Sequence, residues 1–483
     1  MTHGTITVLT SEQPKTLGKV FEMTADGLKK STSGEMTRAT FEVVRFDGIE
    51  ALAAILTSCS TSQAITTSLP RNGSQSGLIV TRCAKSDNPC AIARTKADFG
   101  FPEGAAGVMI LDYDPVGKAL SRDELWAIVR EVVPTVESAG VLWWCSGSSF
   151  VYDRANELQG LRGQRLYICI VNLADTERAG LVLQKRLWLA GHGRIEVSKS
   201  GALLQRTPFD AAMAQAARVD FCGGSVCKGA LRQLRPAPVI LASGGWLDTA
   251  EALPDLTASE QATYEDLVTK AKREAMPQSE IVKASWVAER KNGMVSRLMA
   301  EGVGVVEAVE RSDKVLTAAL AGSLLGDFEI PLVGGGSVTV GEMLDDRAKW
   351  HGVKLPDPLE PTYKNGSWVA TAYLYGGHPT IASLAHGGQT FRLYRQPARL
   401  YLTAGGKAEL ASEIVRRLAT GGEVFKSGGL LCRVEGGRGR RLERAALTHL
   451  IQTQMSFYGK NAKGEDVARD LPGDVVDMVI AIA

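Results

Sequence analysis

Apolar and polar positions fall into blocks along this chain. The sharpest block is "GVMILDYDP" at 107–115. Four consecutive apolar residues, Val108 to Leu111, predict a strand buried on both faces. The run passes straight into Asp112, Tyr113 and Asp114. Side chains at i and i+2 share one face of a strand, so the two carboxylates stand side by side. "SRDELWAIVREVV" then takes up helical periodicity, and Ser121 with Glu124 three residues on predicts a capping box. "AGVLWWCSGSS" and "QRLYICIVN" read as two further apolar strands, and "DTERAGLVLQKRLWLAG" as a helix. "GRIEVSKSGALLQRTPFD" has strand-like pieces broken at Gly201. Upstream, "GIEALAAILTSC" is helical by pattern, and "SQSGLIVTRC" reads as a turn and a strand. Strands interleaved with helices predict an α/β or α+β domain over 1–245.

The pattern changes at "PAPVILASGGWLDTAEALPD", which reads as a Pro- and Gly-rich linker. Residues 256–312 are strongly helical, with Thr257 and Glu260 forming a second capping box, and predict a small helical bundle. Residues 316–400 are turn-rich and β-containing. Residues 405–483 mix helices such as "AELASEIVRRLA" with a strand pair around "GGEVFKSGGLLCRV". The end, "VVDMVIAIA", is abrupt, as in a piece of a longer polypeptide.

Composition narrows the class. The 483 residues suit two to four domains, and 45% apolar with 22% charged residues is ordinary for a soluble protein. A net charge of only +2 means that any nucleic-acid signal must be local. No basic-then-apolar leader opens the chain. No stretch reaches the roughly 18 apolar residues of a membrane span, so no membrane partner is expected. The eight cysteines form no C-x-x-C pair, and several lie in apolar runs. This fits reduced thiols in a cytoplasm. The Cys83/Cys90 and Cys222/Cys227 spacings do not suit zinc, and none is expected.

Two adjacent carboxylates repel unless a cation joins them. Asp112 and Asp114 are therefore either a solvated strand end or part of a metal site. Ligand sites gather at the C-terminal ends of buried strands. The next strand ends in Ser146, Ser148 and Ser149, whose hydroxyl and amide groups suit phosphate, unless they form an ordinary turn. Two-metal phosphoryl transfer asks for a further carboxylate. Asp210, in "LLQRTPFDAAM", is the best placed, with Glu196 a weaker choice.

"VMILDYD", "SGSS", "GQRLYICIV" and "RTPFD", in this order, resemble the archaeo-eukaryotic primase superfamily, which includes primase-polymerases of phages, plasmids and integrated elements. "KRLWLAGHGRIEVSKSGALLQRTPFDA", "RVDFCGGSVC" and "GGHPTIASLAHGGQTFRLY" also look like mobile-element members. The resemblance covers 107–227 most specifically. It implies an α+β fold: a catalytic core with an RRM-like mixed sheet, then a helical bundle and a smaller β-containing C-terminal region. It implies that Asp112, Asp114 and Asp210 hold two Mg²⁺ or Mn²⁺ ions, and that Ser146 and Ser148 contact the phosphates of a nucleoside triphosphate. The family's phosphate-binding histidine falls on Arg165, with His192 a substitute. The partners implied are a single-stranded DNA template and a replicative helicase in cis or in trans, in the cytoplasm of a bacterial host.

Arg94 and Lys96 lie just upstream of the aspartate strand and are template-contact candidates, or simply solvated charges. Arg433, Arg438, Arg440, Arg441 and Arg444 form the clearest local basic patch, a DNA-binding candidate or a solvated loop. "LVGGGSVTV" lacks the G-K-[ST] of a Walker loop. His378 and His386 read as core or turn histidines. Two other readings stay open. A haloacid-dehalogenase-like phosphatase would use Asp112 as nucleophile and needs a downstream acidic pair, for which Asp345 and Asp346 are available. A non-catalytic replication initiator would keep the basic patch without needing three aspartates.

Overall fold

In the computed structural model the chain is described from residue 2 to 482, except 116, 376–377, 396–397, 404, 421–423, 428–429, 436–437 and 461–465. The fold is α+β. It divides into two compact units, residues 1–196 with 203–276, and residues 197–202 with 277–483. The first unit takes in the span 1–245 apart from 197–202, with the start of the helical stretch; the second holds the remainder.

The first unit opens with strands β1 (Gly4–Gln13), β2 (Gly18–Thr24), β3 (Gly27–Ser33) and β4 (Arg38–Phe46), helix α1 (Gly48–Ser58), and strands β5 (Gln63–Thr66) and β6 (Ser76–Val80). They build an antiparallel sheet in the order β5-β1-β4-β6, with β2 and β3 as a separate hairpin. Then come β7 (Gly107–Tyr113), α2 (Arg122–Val132), β8 (Gly140–Cys145), β9 (Gln164–Ile170), α3 (Thr176–Leu189) and β10 (Val239–Ser243). These strands form a central sheet in the order β10-β8-β9-β7.

All three pairings in the central sheet are antiparallel. The central sheet is therefore antiparallel where a mixed sheet was expected; in this unit Ser225–Cys227 pairs parallel with β2, and other parallel contacts are isolated bridges such as Ile170–Leu247. Apolar runs become its strands because both faces are covered. Val108, Leu142, Leu166 and Ile170 are fully buried, as are Leu52 and Leu56 of α1 in the same core. Helix α2 begins where its sequence says. Ser121 Oγ accepts the Glu124 amide while the Glu124 carboxylate accepts the Ser121 amide. Leu125, Trp126, Val129 and Val132 form its buried face.

Residues Ala258–Ala300 are a single 43-residue helix, α4, followed by α5 (Val305–Leu320). The bundle expected over 256–312 is thus one long helix and the start of another. Thr257 and Glu260 do exchange the bonds of a capping box at the start of α4. Pro277 lies within the helix.

In the second unit, α5 shares a core with a five-stranded sheet built from residues 323–393. A separate core joins the helices Lys407–Thr420, Arg444–Gln454 and Gly473–Ile482. Among the described residues no helix is long and apolar enough to cross a membrane.

Candidate active-site cleft

The register of the central sheet builds the site. Asp112 on β7 is the cross-strand partner of Arg165 on β9, and Ile110 is the partner of Tyr167. Alternation therefore puts Asp112, Arg165 and Tyr167 on one face. A second carboxylate reaches that face from the N-terminal sheet. Residue 220 exchanges both backbone hydrogen bonds with Ile65 of β5, each 2.9 Å long. The first eighty residues thus position a functional side chain as well as filling a core.

Asp220 is completely buried. Its Oδ2 accepts a 2.5 Å hydrogen bond from the Tyr167 hydroxyl, and its Oδ1 lies 2.6 Å from Arg165 Nε. Arg165 Nε also lies 3.5 Å from Asp112 Oδ1. None of these three facing atoms makes a well-aligned hydrogen bond, although all are shut off from solvent. Burial pushes the Asp112 carboxyl up to about 7. Arg165 offsets part of that effect, while Asp114, Asp220 and Asp210 add to it. Burial disfavours the Arg165 charge too, but Asp112 and Asp220 outweigh it and hold the guanidinium ionised.

At the rim the strand ends converge on one small residue. A β-carbon on Gly163 would lie 2.6 Å from Ser146 Oγ and 2.7 Å from Asp114 Oδ1. Ser146 donates its amide to the Gly163 carbonyl at 2.8 Å, and its hydroxyl bonds that of Ser148 at 2.7 Å. The turn that follows is packed tightly, since a β-carbon on Gly147 would stand 3.2 Å from the Gly224 carbonyl. Gln164, fully buried, locks the start of β9. It accepts from Trp143 Nε1 at 2.7 Å and donates to the Leu120 carbonyl at 2.6 Å.

These groups line an open cleft of about 370 Å³. Lys19 and Lys30 from the β2–β3 hairpin line it together with Arg162, Arg165, Asp112 and Asp114. Carboxylates and cations thus share one cleft, with Arg165 beside Asp112.

The structure brings together Asp112, Asp114, Ser146, Ser148 and Arg165. Asp210 stands nearby: its amide donates to the Asp112 carbonyl at 2.8 Å, while its Oδ1 caps a short helical turn at the Ala212 amide. His192 is turned elsewhere, with its Nε2 2.8 Å from Glu131 Oε2. Arg94 donates to the Ala217 carbonyl, and Lys96 pairs with Glu177 across an exposed surface. None of these three lines the cleft. Arg440 and Arg441 lie in the second unit, on a strand whose register sets Arg440 across from Arg433. The side chain of Arg438 falls outside the described residues. Asp345 pairs with Arg395, and Asp346 caps the helix Arg347–Trp350. Sequence reasoning missed Lys19, Lys30 and Arg162, which line the cleft, and Asp220, which is buried behind Arg165. Only "RVDFCGG" carried a signal, as part of a resemblance and not as a site.

A divalent cation would suit Asp112 and Asp114. Asp112 Oδ1 is buried without a hydrogen bond, and neighbouring carboxylates repel its charge. Among the described residues, no three His, Cys, Asp or Glu side chains are already gathered around one point. The turn that Asp210 caps occupies its Oδ1.

No family model, no curated protein and no solved structure matches this chain.

Proposed function

We propose that this chain is a primase-polymerase, a nucleotidyl transferase that builds short primers on a single-stranded DNA template for a mobile element replicating in a bacterial cytoplasm. One observation carries the reading: Asp114 and Ser146 close on Gly163 in a cleft whose lining gathers Asp112 and Asp114 with Lys19, Lys30, Arg162 and Arg165. A cleft of about 370 Å³ is of the size that holds a small ligand. The resemblance of "VMILDYD", "SGSS" and "RTPFD" to the archaeo-eukaryotic primase superfamily points the same way.

Asp112 and Asp114 would hold Mg²⁺ or Mn²⁺, with Asp210 as the third carboxylate. When bound, such a pair of ions supplies Lewis acidity and makes the attacking hydroxyl more acidic. The chain's own groups do the rest. Ser146, Ser148, Lys19 and Lys30 bind the triphosphate of the incoming nucleotide. Arg165 stays charged and donates to phosphate oxygens, and it carries no proton away. Asp220 and Tyr167 hold that guanidinium in place. The 3′-oxygen of the primer bonds to the α-phosphorus as the bond to pyrophosphate breaks.

The test uses purified chain, a single-stranded template, labelled nucleotides and Mg²⁺ or Mn²⁺. Short products should form, and should fall below detection in Asp112→Asn and Asp114→Asn. Hydrolysis of a simple phosphate ester without any primer would favour the phosphatase reading. DNA binding with neither activity would favour the initiator.

A further inference from the structure

The second unit contains a sheet whose two faces differ in chemistry. Its strands are Lys354–Leu355, Ala370–Tyr373, Thr380–Ser383, Gln389–Leu393 and Ser323–Leu324, side by side in that order. One face is core: Leu355, Ala370, Ala372, Ile381, Phe391 and Leu324 are at most 1% exposed. Register then fixes what the other face carries. Lys354, Thr371, Ala382 and Thr390 form one cross-strand row. Tyr373, Thr380, Arg392 and Ser323 form the next. The eight positions hold two cations, one phenol and otherwise small side chains, with no carboxylate among them.

Aromatic rings stand at the edge of this face. Tyr373 is 46% exposed, and Tyr375, just past its strand, is 56% exposed. His351 lies near both, 6.3 Å from the Tyr373 ring and 4.9 Å from the Tyr375 ring. Its Nδ1 accepts the Leu374 amide at 3.0 Å, which fixes its plane. The Lys354 ammonium sits 3.7 Å from the centre of the Trp368 ring, so charge and aromatic surface are presented together.

An aliphatic patch would call for a protein partner. Exposed rings among cations, with no carboxylate on the face, call for a ligand that alternates planar apolar groups with negative charge. Single-stranded nucleic acid has that chemistry, whereas a duplex keeps its bases stacked inside. We propose that this face binds single-stranded nucleic acid, with bases stacking on Tyr373 and Tyr375 and phosphates held by Lys354 and Arg392. The inference rests on the nucleotidyl-transfer reading only for the strand's identity as template; the residues are separate.

The test is fluorescence anisotropy with the full chain, labelled 20-mers of oligo-dT and oligo-U, and a duplex control, without nucleotide or divalent ion. Tyr373→Ala with Tyr375→Ala should weaken single-strand binding about thirty-fold or more with little change in salt dependence. Lys354→Ala with Arg392→Ala should weaken it and reduce the salt slope by about 1.4, two phosphates at about 0.7 each. Preference for oligo-dT or oligo-U tells DNA from RNA. A 20-mer carrying 5-iododeoxyuridine should crosslink under ultraviolet light to the peptide containing Tyr373 and Tyr375. Unchanged affinity in both double variants, or crosslinks confined to the first unit, overturns the proposal. Intact binding at this face with no primer synthesis overturns the catalytic reading alone.

Discussion

Arg165 Nε stands 2.6 Å from Oδ1 of Asp220 and 3.5 Å from Oδ1 of Asp112, so the guanidinium belongs first to the aspartate at which sequence reading did not look. Where the primase resemblance places a histidine, this chain has a permanent cation clamped by a buried anion. Arg165 is 14% exposed and Asp220 not at all, so water screens the pair little.

Asp220→Ala should therefore destabilise the first unit by about 3 kcal/mol, because it leaves the buried Arg165 without its closest counter-charge, with Asp112 only at 3.5 Å. Urea denaturation measures this. A loss under about 1 kcal/mol would mean that the pair is solvated in solution.

Asp112 sets a pH dependence. Its folded carboxyl is raised to about 7, against an ordinary value of 3.8. Below about 4 both folded and unfolded chains hold the proton. Between about 4 and 7 the unfolded chain has released it and the folded chain has not, so stability falls as pH rises through that window and levels off above it. Melting temperatures in a chelator should show this slope, and Asp112→Asn should flatten it. Parallel curves for the two proteins would sink the assignment.

The second unit shows the opposite sign. Burial alone would raise the Glu360 carboxyl, but hydrogen bonds from His386, Ser198 and the Ser200 amide overcome it and hold the group down at about 2. The stability that this gives is present above the ordinary value of 4.5 and is lost as pH falls toward 2. The Ser200 amide donates to Glu360 at 3.0 Å. Glu360→Gln should therefore speed hydrogen exchange in the peptide that contains Ser200 at pH 7, with the difference shrinking in acid.

Ser121→Ala removes the hydroxyl arm of the α2 cap, leaving the backbone amide to Glu124, and should cost about 1 kcal/mol. Thermal unfolding of the full chain is the measurement, and no change would show that the helix start is held by packing alone.

Local signals were legible in the sequence and long-range ones were not. The strand ending in Asp112, the capping pairs at Ser121 and Thr257, and the strand end at Ser146 all follow from spacing within a dozen residues. Asp220 depends on pairing with Ile65 across 155 positions, and no periodicity carries that. His192 was a substitute for the histidine that the resemblance places at Arg165, yet a neighbouring helix offers it Glu131. The helical periodicity over 256–312 shows helix but not where one helix ends, and Ala258–Ala300 is one helix with Pro277 inside it.

Gly163 carries a consequence of a different kind. Each of the nineteen other residues brings a β-carbon, and at this position any β-carbon collides with both Ser146 and Asp114. The mildest change, to alanine, already fills the gap and makes the Ser146 hydroxyl and the Asp114 carboxylate give way. A saturation library at position 163, selected for nucleotide binding, should be dominated by the parental codon family. The site's specification here is written as an omission, and it is the kind of information that hydropathy and charge cannot encode.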